Sequence, residues 1–259
     1  MTEVNKDLDL QFDPQFSNDG KDLVEADSFE RLVAARRSVR RYEADPIPDD
    51  VVEKCLDLAL KAPNSSNLQP WEFYWVKTPE KRDELARNCF SQPAAATAPT
   101  LIVAVARIDT YKANAKQMVE VFEKSSVPVP KPAIDYYKKL VPMAYTLGPL
   151  SIWGRLRALG MWGISLFRPI PALPANRDQL FTWAVKTTAL ACENLMLAFR
   201  AYGFDTCPME GIDPRRIKKL LKLPRGAEVV MVISAGKRAA GGVYGPRIRF
   251  DREQFIKRV

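Results

Sequence analysis

Apolar positions recur along the chain at two periods, and the alternation between them predicts interleaved helices and strands. Phe29, Leu32 and Val33 fall at helical spacing behind Asp27 and Glu30, a capping-box-like pair, which predicts a helix to about Arg36. Pro46 and Pro48 break the chain before Val52, Cys55, Leu56 and Ala59 mark a second amphipathic helix, rich at its start in Asp49, Asp50 and Glu53 and ending near Pro63. Residues 64–70 are turn-forming, 73–76 are aromatic and β-branched enough for a strand, and 79–88 read as helix. The unbroken apolar run 100–106 predicts a buried strand at the sheet centre. A long helix over 182–202 turns Ala184, Leu190, Ala191, Leu195 and Ala198 inward, and Gly203 is placed to end it. Asp213 and Pro214 open a short helix through Leu221, and 229–234 form another strand. The class is mixed α and β.

Residues 111–180 depart from this rhythm. They are rich in proline and aromatics, hold no acidic residue between Tyr136 and Arg177, and read as an insertion or lid. Within them Ile152, Leu156, Leu159, Gly163, Leu166 and Phe167 share one helical face, with Arg155, Arg157 and Arg168 as the charges. Arginines near the middle of 147–170 argue against a membrane span, at roughly 2.5 to 3.5 kcal/mol each on insertion scales. An apolar lid packed on a subunit partner is the first reading of this face. A helix lying on an anionic membrane, with Trp153 and Trp162 at the boundary, is the second.

Composition then removes whole classes of chemistry. With 47% hydrophobic and 27% charged residues, the 259-residue chain can bury a sizeable core, which excludes disordered and disulfide-stapled readings. It has no histidine, so Ser-His-Asp hydrolases, Cys-His proteases and His-based zinc sites cannot be built. The four cysteines, Cys55, Cys89, Cys192 and Cys207, form no CxxC pair, and free buried thiols in a reducing compartment fit them. The polar, acidic start lacks the features of a secretory signal, so the expected location is cytoplasmic. Residues 1–30 carry two Lys against nine Asp or Glu, which leaves +15 on the body of a chain whose formal net charge is +8. A body that basic attracts phosphates, whether of nucleic acid, an anionic membrane or a small molecule.

Three stretches have residue types suited to such a ligand. Arg36, Arg37, Ser38, Arg40 and Arg41 offer planar donor forks and a hydroxyl, and Arg247 with Arg249 offers a chain-distant second half, although cations after a helix are often merely solvated. Asn64 to Gln69 stabilise a turn, and their carboxamides also pair donors with acceptors as a flavin pyrimidine edge requires. Pro208, Met209, Glu210 and Gly211 connect into the next helix, and Gly211 would let the backbone come close to a ligand.

In this order and spacing, the runs 36–42, 62–71, 191–198 and 208–211 and the terminal arginines resemble the nitroreductase family of FMN enzymes, over about half the chain. The resemblance implies an α+β fold, a central mixed sheet flanked by helices, in an intertwined homodimer with one FMN at each end of the interface. It implies an acidic tail over 1–27 and one FMN-binding domain over 28–259, with the insertion at about 111–180. Arg36, Arg37 and Arg40, helped by Ser38, would hold the FMN phosphate and flavin edge, and Arg247 with Arg249 would close the phosphate site. Asn64, Ser65 and Asn67 would reach the flavin from the neighbouring subunit, and Gln69 would also bind the cofactor. Glu210 and Gly211 would offer backbone N–H groups to flavin N5, with Pro208 and Met209 beside them at the cofactor, no side chain required for catalysis and no metal.

The implied reaction takes hydride from NADPH or NADH and reduces a nitroaromatic, quinone or similar small-molecule acceptor by a ping-pong mechanism. Because the cofactor carries the chemistry, a histidine-free chain can perform it. The alternatives are a specialised flavin enzyme of the same fold, acting as a dehydrogenase, a dehalogenase or a flavin-remodelling enzyme, a flavin-storing or sensing protein, and a basic binding protein for nucleic acid or anionic membrane. Nucleic acid is not the expected partner, because no recognised motif for it is present.

Overall fold

The computed structural model describes residues 25–259. Its sheet comprises β1 (Trp71–Trp75), β2 (Thr100–Arg107), β3 (Asp205–Met209) and β4 (Ala227–Gly236), in the order β1-β2-β4-β3 with antiparallel neighbours. The sheet is therefore antiparallel rather than mixed as expected: the one parallel contact is an isolated bridge from Ser38 to Thr206 outside the strands, where Val39 N–H donates to the Thr206 carbonyl at 3.0 Å. The run 100–106 is fully buried because both faces of β2 are covered. Leu101, Val103 and Val105 pack with Leu85 of α3 (Pro79–Asn88), with Ile217 of α10 (Pro214–Leu220) and with Val39. Ile102 and Ala104 meet Val52 and Cys55 of α2 (Asp49–Leu60) and Leu195 and Phe199 of α9 (Arg177–Ala201).

Capping explains several boundaries. The Asn176 side chain accepts from Gln179 N–H at 2.9 Å and starts α9, which ends at Gly203 with φ +86°. Asp213 accepts from the N–H groups of Arg215 and Arg216 at 3.1 and 3.0 Å, and Pro214 follows as the first residue of α10.

Other expectations are corrected. The Asp27 and Glu30 pair forms no capping box: α1 (Ala26–Ala35) begins one residue before Asp27, which places that carboxylate inside the first turn. Phe29 and Val33 on α1 are exposed, and Leu190, expected to face inward on α9, is half exposed. Strand β3 has no counterpart among the expected elements, since Asp, Thr, Cys and Pro in five residues give no alternation. It survives as an edge strand, the position where a proline's missing donor is tolerated.

After the short α4 (Pro93–Ala96), the insertion folds as α5 (Tyr111–Glu123), α6 (Lys131–Asp135), a π-helical turn over Tyr136–Leu140, α7 (Val141–Tyr145) and α8 (Ile152–Ser165). Among the described residues no helix is long and apolar enough to cross a membrane, and no acidic, Cys or His cluster could hold a metal. All four cysteines are free and buried, and burial pushes the thiols of Cys55, Cys89 and Cys192 up to about 12.

Candidate active site

Segment 36–40 leaves α1 and runs beside β3 with Val39 buried in the core, so its neighbours are held at the surface. Arg36, Arg37, Ser38 and Arg40 line a cavity of about 240 Å³ together with residues 243–249 of the chain end, including Arg247 and Arg249. Backbone and side-chain bonds tie the two strands of chain together. Arg40 N–H donates to the Gly242 carbonyl at 2.7 Å, Arg37 Nη2 to the Gly245 carbonyl at 2.5 Å, and Arg247 Nη2 to the Ala34 carbonyl at 2.9 Å and to that of Arg36. Tyr244 lies under the Arg40 guanidinium, 5.3 Å from ring centroid to Cζ, a contact missed in the sequence although glycines on either side of it announced a loop.

Five guanidinium groups thus converge with little to neutralise them. Among the described residues the one carboxylate in ion-pair range is Glu193, at 3.9 Å from Arg36 Nε. Desolvation, followed by repulsion from Arg249, Arg36 and Arg37, lowers the pKa of Arg247. Nearby Arg200 and Arg238 are instead consumed by the buried Asp205, at 3.0 and 2.8 Å. An uncompensated fork of cations at a cavity fits a phosphate dianion. Burial raises the Cys207 thiol behind this pocket, and Arg40 and Arg36 pull it back down.

From this corner β3 runs to the 208–211 turn. Met209 is buried and Pro208 half-buried, so their side chains serve the core, whereas Glu210 and Gly211 are exposed. Gln92 Nε2 donates to the Gly211 carbonyl at 3.1 Å and holds the turn, and a Cβ on Gly211 would meet nothing within 4 Å. Four residues of extended chain separate Thr206 from Glu210, about 13 Å at 3.3 Å per residue. An elongated ligand with its phosphate among the arginines can therefore lay a ring beside Glu210 and Gly211.

Asn64, Ser65, Asn67 and Gln69 are not brought to this pocket. Their loop enters β1 at Trp71, which pairs with Ala106, while Ser38 bridges to β3 at the level of Thr100 on β2. Four strand spacings and six residues put the two groups about 28 Å apart, at diagonal corners of the sheet. The loop is held in shape by Asn64 Oδ1, which accepts from Gln69 N–H at 2.8 Å, and Ser66, Asn67 and Gln69 take positive φ. Asn67 and Gln69 are exposed and line a cavity of about 300 Å³ with Asn114 and Met118 of α5. The insertion grips the loop from behind: Ser66 Oγ lies 2.5 Å from the Tyr136 hydroxyl, and the Tyr137 hydroxyl donates to the Ser66 carbonyl at 2.9 Å. A larger cavity of about 740 Å³ lies between Ser65, Ser66, Tyr145, Ala158 of α8 and Trp183 of α9. The indole N–H of Trp183 is buried without a hydrogen-bond partner among the described residues.

In an α+β chain, a corner of largely unpaired arginines with an exposed backbone turn beside it has the layout a phosphorylated cofactor would fit. Comparison with known proteins agrees. The model of the Nitroreductase family matches residues 33–237. A protein of Bacillus subtilis named as an NAD(P)H nitroreductase is 29% identical over 233 residues, covering 88% of this chain and 97% of its own. The NADH dehydrogenase of Thermus thermophilus is 26% identical over 217 residues, covering 84% and 90%. Among solved structures, a nitroreductase from Bacillus subtilis superposes with a TM-score of 0.72 at 21% identity, covering 90% of this chain and 99% of its own. One from Exiguobacterium sibiricum, in complex with FMN, gives 0.66 at 23% identity, covering 89% and 97%. The chain belongs to the nitroreductase family of oxidoreductases. Members of that family use FMN and take electrons from NADPH or NADH.

Proposed function

We propose that this chain binds FMN between two copies of itself and passes hydride from NADPH or NADH to a nitroaromatic, quinone or similar small acceptor, in two half-reactions at one pocket. The observation that carries the reading is the uncompensated arginine corner, with Glu210 and Gly211 one flavin length away along β3. Arg36, Arg37, Arg40, Arg247 and Arg249 would hold the phosphate, with Ser38 adding a hydroxyl. FMN, when bound, supplies the hydride chemistry. The backbone at Glu210 and Gly211 would donate toward flavin N5, and the rigid turn held by Gln92 would fix that geometry. Asn64, Ser65, Asn67 and Gln69, too distant to serve the same pocket within one chain, would complete the pocket of the partner copy.

The test is the visible spectrum of the purified protein, followed anaerobically by NADPH and NADH in turn. Flavin bands that bleach with nicotinamide support the reductase reading. Bands that persist move the assignment to a specialised flavin enzyme of the same fold. A colourless protein that takes up no added FMN removes the site assignment.

A further inference from the structure

Helix α8 is seated in the reverse sense to an ordinary surface helix. Gly154, Arg157 and Ala158 face the body, while Leu159 and Trp162 are 65% and 63% exposed and Phe167, just past the helix end, is 89% exposed. Ile152, Trp153 and Leu156 are exposed as well. Two contacts lock this rotation. Gly154 lies so close to the Ala175 carbonyl that a Cβ would stand 2.4 Å from it. Arg157 donates to the carbonyls of Thr146 at 3.1 Å and Pro174 at 2.6 Å, and to that of Met143. Turning α8 to bury its leucines would strip three carbonyls of their donor and force a side chain into a fourth. The outward apolar face is a property of the docked helix.

Charge decides what covers it. No acidic residue lies between Tyr136 and Arg177, and the exposed Arg155 and Arg168 have no ion-pair partner among the described residues. A second copy that met this face with its own α8 across a two-fold axis would bring like charges together. Exposed apolar residues suited to a subunit interface lie elsewhere, at Phe29 and Val33 of α1, Leu58 and Leu60 of α2 and Leu190 of α9. We propose that α8 docks this protein on the surface of a bilayer that contains anionic lipid. Trp153 and Trp162 take the headgroup level, Leu156, Leu159 and Phe167 enter the acyl boundary, and Arg155 and Arg168 meet the lipid charge. The cavity of about 740 Å³ is lined by Ala158 of α8 and by Ser65 and Ser66, and would give a bilayer-dissolved acceptor such as a long-chain quinone a path to the flavin of the partner copy. This route rests on the flavin reading above; the docking does not.

The full chain is sedimented with vesicles of phosphatidylcholine alone and of phosphatidylcholine mixed with phosphatidylglycerol. Preference for the mixed vesicles is expected to be roughly thirty-fold, from about 1 kcal/mol for each of the two arginines. Arg155→Ala with Arg168→Ala abolishes that preference, and Leu159→Glu with Trp162→Glu abolishes binding to both vesicles while circular dichroism and flavin content stay unchanged. No sedimentation with mixed vesicles at low salt overturns the docking, as does unchanged binding of the Glu double variant. A fall in its oligomeric state also overturns it, because α8 is then a subunit interface. The route is read separately, as turnover of a long-chain quinone in vesicles divided by turnover of a water-soluble quinone. That ratio falls in the Glu double variant if the route holds, and an unchanged ratio removes it. Absence of all turnover counts against the flavin reading and leaves the vesicle result intact.

Discussion

The corner that gathers Arg36, Arg37, Arg40, Arg247 and Arg249 and the helix α8 both set arginine beside apolar surface, in opposite senses. At the corner Val39 goes into the core and the guanidinium groups look into a cavity. On α8 the guanidinium of Arg157 goes inward, to carbonyls, and leucine and tryptophan look out. The difference teaches that a cation's work is set by what has already claimed its donors. Three carbonyls hold Arg157, and Asp205 holds Arg200 and Arg238. At the corner Arg37 and Arg247 commit only Nη2 to carbonyls, and the group keeps its other donors and its charge for a ligand.

Breaking the corner gives the largest expected effect. Arg36→Ala combined with Arg247→Ala removes two charged donors worth about 1.5 to 3 kcal/mol each, so FMN affinity falls by at least two powers of ten. Full flavin occupancy after dialysis of that double variant would refute the phosphate assignment. On the other side of the comparison, Arg157→Ala leaves carbonyls without their donor and costs α8 about 1 to 3 kcal/mol of local stability, read as faster amide exchange across the helix. Arg155→Ala, with the same charge change on the exposed face, leaves exchange unaltered. If the two variants behave alike, the inward and outward roles are not distinct.

Glycines of α8 sharpen the same contrast on a smaller scale. Gly154→Ala drives a Cβ onto the Ala175 carbonyl and destabilises by about 1 to 3 kcal/mol in urea unfolding. Gly160→Ala, where a Cβ meets nothing within 4 Å, stabilises by up to about 1 kcal/mol through helix propensity. The effect of the buried thiols is confined to alkaline pH. Cys55, Cys89 and Cys192 are raised from an ordinary 9.0 to about 12, so below pH 9 both folded and unfolded forms are neutral and stability is unaffected. Above pH 9 the unfolded chain ionises first, and stability falls toward pH 12. Urea midpoints at pH 8 and pH 10 test the sign, and Cys192→Ala should flatten the slope.

Element by element, legibility followed burial. The doubly covered β2 was readable because a strand with no solvent side shows an unbroken apolar run, and α10 because Asp213 and Pro214 satisfy donors locally. Strand β3 was not, since its pairing with β4 comes from a partner more than twenty residues away and its own residues carry no period. The inward placing of Leu190 and the Asp27 capping box failed for related reasons. One depends on which neighbours cover α9, the other on where α1 first closes a turn.

By itself the sequence determined which chemistry is possible. A chain without histidine cannot run acid-base or metal catalysis on that side chain, and its arginine and carboxamide stretches offer donors for a phosphate and for a ring edge, which the family resemblance they carry implied to be those of a flavin. Those are properties of residue type and short spacing, which need no partner to exist. Tertiary structure decided which stretches share a pocket. It joined residues 36–40 to 243–249 across two hundred positions and set Asn64 to Gln69 at the opposite corner of the sheet. It also turned α8 outward, because the close approach of Gly154 and the carbonyl partners of Arg157 exist only once residues 143–175 fold around them.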